Sequence, residues 1–225
     1  MVITVTKEII LGAIVVLGAI VLLFFWYGYY RGKKRIEKEE NQGEAAVRKV
    51  LTNYCQESTA HLLNNVTLEY KEGTTQIDHI LITQNGIIVI ETKHYSGWIF
   101  ANEKQNQWTQ VLFKVKHRFQ NPIIQNKKHI LAVQQLLDFI PKGQIQGLVV
   151  FTGDAQFKTE IPPSVIHLTQ LESYADSIRL GSITENRLQF CVGRLEYKRL
   201  EITGKTDIEH QMYLENKFGE VDESY

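Results

Sequence analysis

The chain has 225 residues, which is enough for one sizeable domain and an appendage. Its 25 basic and 25 acidic residues balance, which argues against strong nonspecific nucleic-acid binding through the whole surface and leaves only local patches for such binding. Its two cysteines, Cys55 and Cys191, are too few for a disulfide framework and stand in no zinc-binding spacing, so we expect both to be reduced and structural.

The segment from Ile9 to Tyr30 carries no charged residue. As a helix it would be about 33 Å long, enough to cross a bilayer core of about 30 Å. It ends in aromatic residues, and basic residues cluster directly after it, between Arg31 and Arg35. We therefore expect a single-pass membrane anchor over residues 1–30, with the N-terminus outside the cell membrane and the remaining chain cytoplasmic. A cleaved signal peptide fits less well, because its charge should precede the apolar run and small residues should end it.

A charged connector over residues 31–42 leads into a predicted helix from Gly43 to Glu57, whose apolar residues recur at helical spacing. Glu44 falls along the inward side of this helix. A carboxylate in the first turn is favourable because the helix dipole prefers negative charge there.

The stretch from Gln76 to Lys93 predicts an antiparallel hairpin, because two runs rich in isoleucine flank Asn85-Gly86. With those two residues as the loop of a type I′ turn, Gln84 opposes Ile87, Asp78 opposes Lys93 and Ile80 opposes Glu91. Directly opposed residues share a face and side chains alternate along a strand, so Asp78, Glu91 and Lys93 converge on one face.

Both faces of this hairpin are otherwise mostly apolar, which is typical of strands in the middle of a covered sheet. Charged groups in such strands must be paired or bound to a metal. One interpretation is an ion pair between Asp78 and Lys93, with Glu91 reaching water. The other is a cation site, in which two carboxylates supply oxygen ligands and the lysine holds a water or a phosphate oxygen.

The flanking segments predict further strands and a long helix. Strands are expected at Val66–Tyr70, at Gln146–Thr152 and at Val165–Leu168, and a second hairpin at Trp98–Ala101 with Trp108–Phe113. Tyr95, Trp98 and Trp108 could stack on bases or pack inside the protein. The basic residues nearby form either a local binding patch or a solvated face: Lys114, Lys116, His117 and Arg118, and farther on Lys127 and Lys128.

Asn121-Pro122 predicts the start of a helix that runs to about Phe139. Gln125 and His129 lie on one face of it, four residues apart. We interpret His129 as structural, and Gln125 as either solvated or turned to the sheet. Later helices are expected over Gln170–Ile178, Thr184–Tyr197 and Asp207–Phe218.

Several motifs follow one another in a fixed order: Gly43-Glu44, Gln76-Ile77-Asp78-His79, Gly86, Glu91-Thr92-Lys93, and Asn121-Pro122 with Gln125. This ordered set resembles the nuclease-related domain, a family within the PD-(D/E)xK nuclease superfamily. The resemblance covers roughly residues 43–151. It departs from the superfamily pattern at Ile77, which stands where the superfamily motif has proline.

The resemblance implies an α/β fold of the restriction-endonuclease-like kind, with a mixed central sheet flanked by helices. It also implies metal-dependent hydrolysis of phosphodiester bonds in nucleic acid, with DNA as the first expectation and Mg²⁺ or Mn²⁺ as cofactor. Asp78, Glu91 and the Thr92 carbonyl would bind the metal, and Lys93 would orient the attacking water. Glu44 and Gln125 would bind the metal or hold its waters.

These inferences divide the chain into an anchor (1–30), a connector (31–42), a nuclease-related core (43–151) and an α-rich C-terminal extension packed on the core (152–225). Two other functions stay open. The chain could be an inactive, membrane-anchored binding or scaffolding module on a nuclease-like fold. A weaker alternative is a lipid-proximal signalling protein that uses the basic residues between Arg31 and Arg35.

Overall fold

The computed structural model describes residues 42–199 without interruption and, before them, the helical residues 18, 20, 22–24, 26 and 27. The chain divides into two units, residues 1–41 and residues 42–225. Within the described part, no helix combines the length and the apolar character needed to span a membrane. The predicted anchor and connector lie largely outside the described residues, as does the predicted helix over residues 207–218, so these stay predictions.

Residues 42–199 contain four α-helices and nine strands. In chain order they are α1 (residues 42–56), β1 (His61–Tyr70), β2 (Gly73–Thr83), β3 (Gly86–Lys93), β4 (Gly97–Phe100), β5 (Gln107–Leu112), β6 (Val115–Gln120), α2 (Pro122–Leu136), β7 (Ile145–Phe151), β8 (Ala155–Phe157), β9 (Val165–His167), α3 (Leu171–Ser177) and α4 (Glu185–Lys198).

Five of these strands form a central sheet in the order β1-β2-β3-β7-β9. β1, β2 and β3 pair antiparallel, whereas β3, β7 and β9 pair parallel. The predicted mixed α/β architecture, with a central mixed sheet flanked by helices, is therefore confirmed.

Helices cover both faces of the central sheet, which explains why its strands are apolar on both sides. On one face, Val133 and Leu137 at the end of α2 and Leu188 of α4 pack with Ile80 and Val89. On the other face, α1 and α3 pack against a second set of strand residues: Leu81, Ile88, Ile90, Leu148 and Val150.

A second sheet has the order β6-β5-β4-β8. β4 and β5 form the predicted second hairpin, and β6, which was not predicted, extends it. A third apolar cluster packs this sheet against the central sheet. In it the Trp108 ring stacks on Phe151 of β7, with the two ring centroids 6.3 Å apart. Trp108 is therefore a packing residue.

The predicted turn of the central hairpin is wrong. The loop residues are Gln84 and Asn85, because Thr83 pairs with Gly86 and Ile80 pairs with Val89. Neither loop residue has the positive φ that a type I′ turn requires. The register therefore differs by two residues from the prediction, and since side chains alternate with a period of two, the prediction of a shared face is unaffected.

Candidate functional site

The candidate site lies where β2 and β3 separate. The β1–β2 ladder continues to Gly73, but the β2–β3 ladder ends at the pair His79–Ile90. Just beyond this point the Thr92 backbone N–H donates a hydrogen bond of 2.7 Å to Oδ2 of Asp78. The Asp78 carboxylate thus occupies the gap between the two strands, at the carboxyl end of β3.

Glu91 and Lys93 stand two residues apart on β3 and so share a face. Lys93 Nζ lies 2.8 Å from Glu91 Oε1, and the Glu91 side chain is only 2% exposed. The interpretation in which Lys93 pairs with Asp78 while Glu91 reaches water is therefore wrong. The close ion pair joins Lys93 to Glu91, and Glu91 is buried.

The second carboxylate oxygen of Glu91 contacts His129, for which the sequence predicts only a structural role. His129 Nε2 of α2 lies 3.0 Å from Glu91 Oε2, and its Nδ1 lies 2.7 Å from Thr75 Oγ1 on β2. Glu91, His129 and Thr75 are all buried. The signal available in the sequence was the placement of His129 one helical turn after Gln125.

The charges of the site perturb one another strongly. Burial and the neighbouring Glu91 and Glu44 carboxylates raise the pKa of Asp78 well above its ordinary value, against the opposing effects of the Thr92 N–H and Lys93. For Glu91, burial alone would raise the pKa, but Lys93 and His129 outweigh it and lower the pKa. Of Asp78 and Glu91, Asp78 is therefore the acid whose negative charge its surroundings do not fully compensate.

Lys93 stays charged despite its burial. Burial lowers the pKa of a lysine, but the adjacent Glu91 carboxylate, followed by Asp78, outweighs this and raises the pKa of Lys93 above its ordinary value. The site therefore presents a permanent ammonium beside two acids whose pKa values are pushed in opposite directions.

Glu44 reaches the site because α1 begins very close to the ends of β3 and β7. A Cβ atom at Gly43 would lie 2.7 Å from Thr152 Oγ1 and 2.8 Å from Cβ of His94, so only glycine fits. The next residue, Glu44, is half-buried and near enough for its charge to raise the pKa of Asp78.

Gln125 lies in the first turn of α2, one turn before His129, and is half-buried. Within residues 42–199 its side-chain amide forms no hydrogen bond. The structure therefore brings together Asp78, Glu91, Thr92 and Lys93, places Glu44 beside them, and puts Gln125 next to the residue that contacts Glu91.

Among residues 42–199, two buried polar atoms of residues beside the β2–β3 gap have no hydrogen-bond partner: His79 Nε2 and Thr92 Oγ1. His79 Nδ1 lies 2.7 Å from Asn64 Oδ1 and so carries the proton, which leaves Nε2 as an acceptor. Burial, followed by the charge of Arg48, lowers the pKa of His79 to about 4. The imidazole is therefore neutral at ordinary pH.

A hard divalent cation binds oxygen ligands, which the carboxylates of this site can supply. Among residues 42–199, no group of three or more His, Cys, Asp and Glu side chains has metal-holding geometry. Mg²⁺, however, commonly uses one or two carboxylates and retains several waters. The incompletely compensated charge of Asp78, near Glu91 and Glu44, fits such an ion, because a bound cation would offset both the burial and the carboxylate repulsion that raise its pKa.

Comparisons with known proteins find similar sequences over the part of the chain that contains this site. A family model described as "Nuclease-related domain" matches residues 39–152. An uncharacterized protein of Bacillus anthracis is 34% identical over 200 residues, which cover 83% of this chain and 89% of that protein. The matched range contains every residue placed at the site.

Proposed function

Because the chain belongs to the nuclease-related domain family, we propose that it is a metal-dependent phosphodiesterase that cleaves nucleic acid, with DNA as the first candidate substrate. Family membership is consistent with nucleic-acid binding and with nuclease-like function. The proposal also includes the finer fold assignment, a restriction-endonuclease-like core around β2, β3 and β7.

One observation carries the proposal. Two carboxylates with opposite pKa shifts and one lysine lie together where β2 and β3 separate, and Lys93 Nζ is 2.8 Å from Glu91. Perturbed titratable groups gathered around one point are typical of catalytic sites. A purely structural ion pair would need only Glu91 and Lys93, and it would not explain a further buried acid, Asp78, whose pKa burial and the neighbouring carboxylates raise.

Asp78 and Glu91 would hold Mg²⁺ or Mn²⁺, with the Thr92 carbonyl as a further ligand and Glu44 and Gln125 holding waters. When bound, the ion would supply electrostatic stabilisation of the phosphate and lower the pKa of a water. Glu91 can serve it while bonded to Lys93 and His129, because each carboxylate oxygen has two lone pairs.

Lys93 would stabilise negative charge on the phosphate and orient the attacking water. The Lys93 side chain is 14% exposed and its ammonium is held by Glu91, so the ammonium is fixed before substrate arrives and needs little reorganisation. His129 would fix the orientation of Glu91, and Thr75 would fix the orientation of the His129 ring.

The proposal extends to location. The uncharged segment from Ile9 to Tyr30 and the basic residues that follow it support a single-pass anchor in the cell membrane, with residues 31–225 cytoplasmic. A protease-protection experiment on intact cells tests this. Degradation of the C-terminal end by protease added outside the cells would contradict the proposed orientation.

The experiment for the activity is a DNA cleavage assay on the full-length chain in a neutral detergent, with and without Mg²⁺. Wild type should cleave only with the metal, and Asp78→Asn, Glu91→Gln and Lys93→Met should each lose at least about 100-fold in rate. Glu69→Gln, at an exposed carboxylate on β1, is the matched control and should retain full activity. Equal rates for all four variants would refute the catalytic assignment.

A second candidate function is an inactive binding or scaffolding module. The observation that favours it is that both Glu91 oxygens already have partners, Lys93 and His129. Such a module requires no metal affinity that depends on Asp78, so a metal-binding measurement separates the two candidates.

A further inference from the structure

Two strands of the second sheet begin only a few residues after the candidate site. β4 begins four residues after Lys93, and β8 begins four residues after Phe151, the partner of Lys93 in the parallel ladder. Trp98 is five residues from Lys93, so their Cα atoms are at most about 18 Å apart. A strand of nucleic acid leaving the site spans that distance with at most about five nucleotides, because each phosphate advances it by about 3.4 Å in a duplex and farther in a single strand.

One side of the second sheet, its outer face, carries side chains in two cross-strand rows. Trp98 is paired with Val111, which is paired with Lys116. Paired residues share a face. The second row, two residues along each strand, consists of Phe100, Thr109 and Arg118.

Both rows thus begin with an aromatic ring and end with a cation, and both aromatic rings are accessible. Trp98 is 50% exposed and Phe100 is 40% exposed, whereas Ile99 between them is fully buried under the sheet. Their Cα atoms are about 7 Å apart along β4, which leaves room for a separate base on each ring.

The local charge of the sheet is opposite to that of a phosphate backbone. Residues 97–120, which contain β4 to β6, hold four lysine and arginine residues against the single acid Glu103, and the residues around β8 add Lys158 with the acids Asp154 and Glu160, in a chain whose overall formal charge is zero. Within residues 42–199, neither Lys116 nor Arg118 forms an ion pair with a carboxylate. A third cation, Lys158, places its Nζ 4.8 Å from the centroid of the Trp98 ring.

A polar pocket of about 310 Å³ adjoins the second row. Amide, hydroxyl and guanidinium groups line it: Gln105, Asn106, Gln107, Thr109 and Arg118. These groups can donate to phosphate oxygens and to the edges of unpaired bases. The lining suits a nucleic acid better than acyl chains, which offer no hydrogen-bonding group.

We propose that the outer face binds a single-stranded segment of nucleic acid, with bases stacked on Trp98 and Phe100 and phosphates held by Lys116, Arg118 and Lys158. The segment is single-stranded because a ring on a sheet surface can stack only on a base that is not paired within a duplex. The proposal rests on the proposed function, since the bound segment is the one that the adjacent site would cleave.

The test measures binding separately from cleavage. A fluorescein-labelled oligothymidylate of about 12 nucleotides is titrated with the full-length chain in a neutral detergent and EDTA, and fluorescence anisotropy is recorded. Trp98→Ala/Phe100→Ala should weaken binding about tenfold or more, because each stacked base is lost. Lys116→Gln/Arg118→Gln should reduce the slope of log affinity against log salt by about 1.4.

The matched control removes an exposed aromatic residue and its lysine elsewhere. Tyr197 of α4 is 82% exposed, and Lys198 Nζ lies 5.4 Å from its ring centroid. Tyr197→Ala/Lys198→Gln should change oligonucleotide affinity by less than about twofold. Thermal melting verifies that each variant folds. If Trp98→Ala/Phe100→Ala does not fold, Lys116→Gln/Arg118→Gln provides the test, because both of its substitutions are at exposed positions.

Unchanged oligonucleotide affinity in both sets of variants would overturn the proposal. So would a loss of binding to anionic phosphatidylglycerol vesicles with oligonucleotide binding intact, because the face would then be a membrane surface. Wild type could bind the oligonucleotide, with binding lost in the variants, while no metal supports cleavage. In that case the binding role of the outer face is upheld and the proposed activity fails.

Discussion

Replacing Lys93 by methionine would leave the Glu91 carboxylate buried without its nearest cation. Wild-type Lys93 Nζ lies 2.8 Å from Glu91, whose side chain is 2% exposed. Removing one partner of a buried ion pair costs about 3–5 kcal/mol. His129 still contacts the other Glu91 oxygen, so we expect the lower end, about 3 kcal/mol, or a fall in Tm of about 6–12 °C.

The stability lost in Lys93→Met should be larger at neutral pH than at acidic pH. In wild type the pKa of Glu91 is held below its ordinary value, so the carboxylate contributes stability above that value and loses it as pH falls through the folded pKa. In Lys93→Met, burial dominates and raises the pKa of Glu91, so ionisation costs stability at neutral pH. The Tm difference from wild type should therefore narrow between about pH 7 and about pH 4.

Circular dichroism melts across this pH range measure the effect. Glu91→Gln/Lys93→Met removes both charges and should recover most of the loss at neutral pH. The control is Arg194→Met, which breaks the exposed pair between Arg194 and Asp138 at 3.3 Å and should cost less than about 1 kcal/mol. A Lys93→Met variant no less stable than the control, or one whose deficit is constant with pH, would refute the reasoning.

Three further predictions concern neighbouring residues. Asp78→Asn should raise Tm at about pH 7, because the raised pKa of Asp78 means that its ionised form costs stability as pH rises; a lower Tm would contradict this. His129→Leu leaves one oxygen of Glu91 and the hydroxyl oxygen of Thr75 buried without a partner. Urea denaturation should therefore show a loss of about 2–6 kcal/mol in the free energy of unfolding, and a loss below about 1 kcal/mol would contradict this prediction. Gly43→Ala should push α1 away and lower the rate of cleavage about tenfold or more, with unchanged activity as the contrary result.

The control for Gly43→Ala is Gly193→Ala. Gly193 lies inside α4, and a Cβ atom there would meet nothing within 4 Å. Alanine is the better helix former by about 1 kcal/mol, so this variant should melt slightly higher and cleave at the wild-type rate.

The central hairpin shows how far local sequence rules reach. The isoleucine-rich runs predicted its strands, and the alternation of side chains along a strand predicted the shared face of Asp78, Glu91 and Lys93, which a shift of two residues preserves. The loop was misplaced because other contacts select it. Thr83 Oγ1 accepts the Asn85 N–H and donates to the Gly86 carbonyl.

Contacts from distant parts of the chain also fix this turn. The Leu180 and Ile183 N–H groups donate to the Asn85 and Gln84 carbonyls. Gly86 has φ +145°, and a Cβ atom there would lie 2.8 Å from Leu180. A segment almost 100 residues later cannot be seen in the hairpin sequence, so the two-residue error in register was unavoidable from local patterns.

The partners of Glu91 could not be predicted from local sequence patterns, because contacts between distant elements determine them. The spacing of Glu91 and Lys93 on one strand predicts a shared face, but not which acid the lysine contacts. That depends on the ending of the β2–β3 ladder at His79 and on α2 bringing His129 across to Glu91. The helix-start signal of Asn121-Pro122 did predict α2, and Asn121 accepts the Ile123 N–H as its N-cap.

The most direct test of the central claim is isothermal titration calorimetry of Mn²⁺ into the full-length chain, comparing wild type with Asp78→Asn. The account predicts one site in wild type whose affinity falls at least about tenfold in the variant, because asparagine removes the charge that the cation compensates. Equal affinity in the two proteins, or no binding by wild type, would contradict the claim that these carboxylates form a metal site.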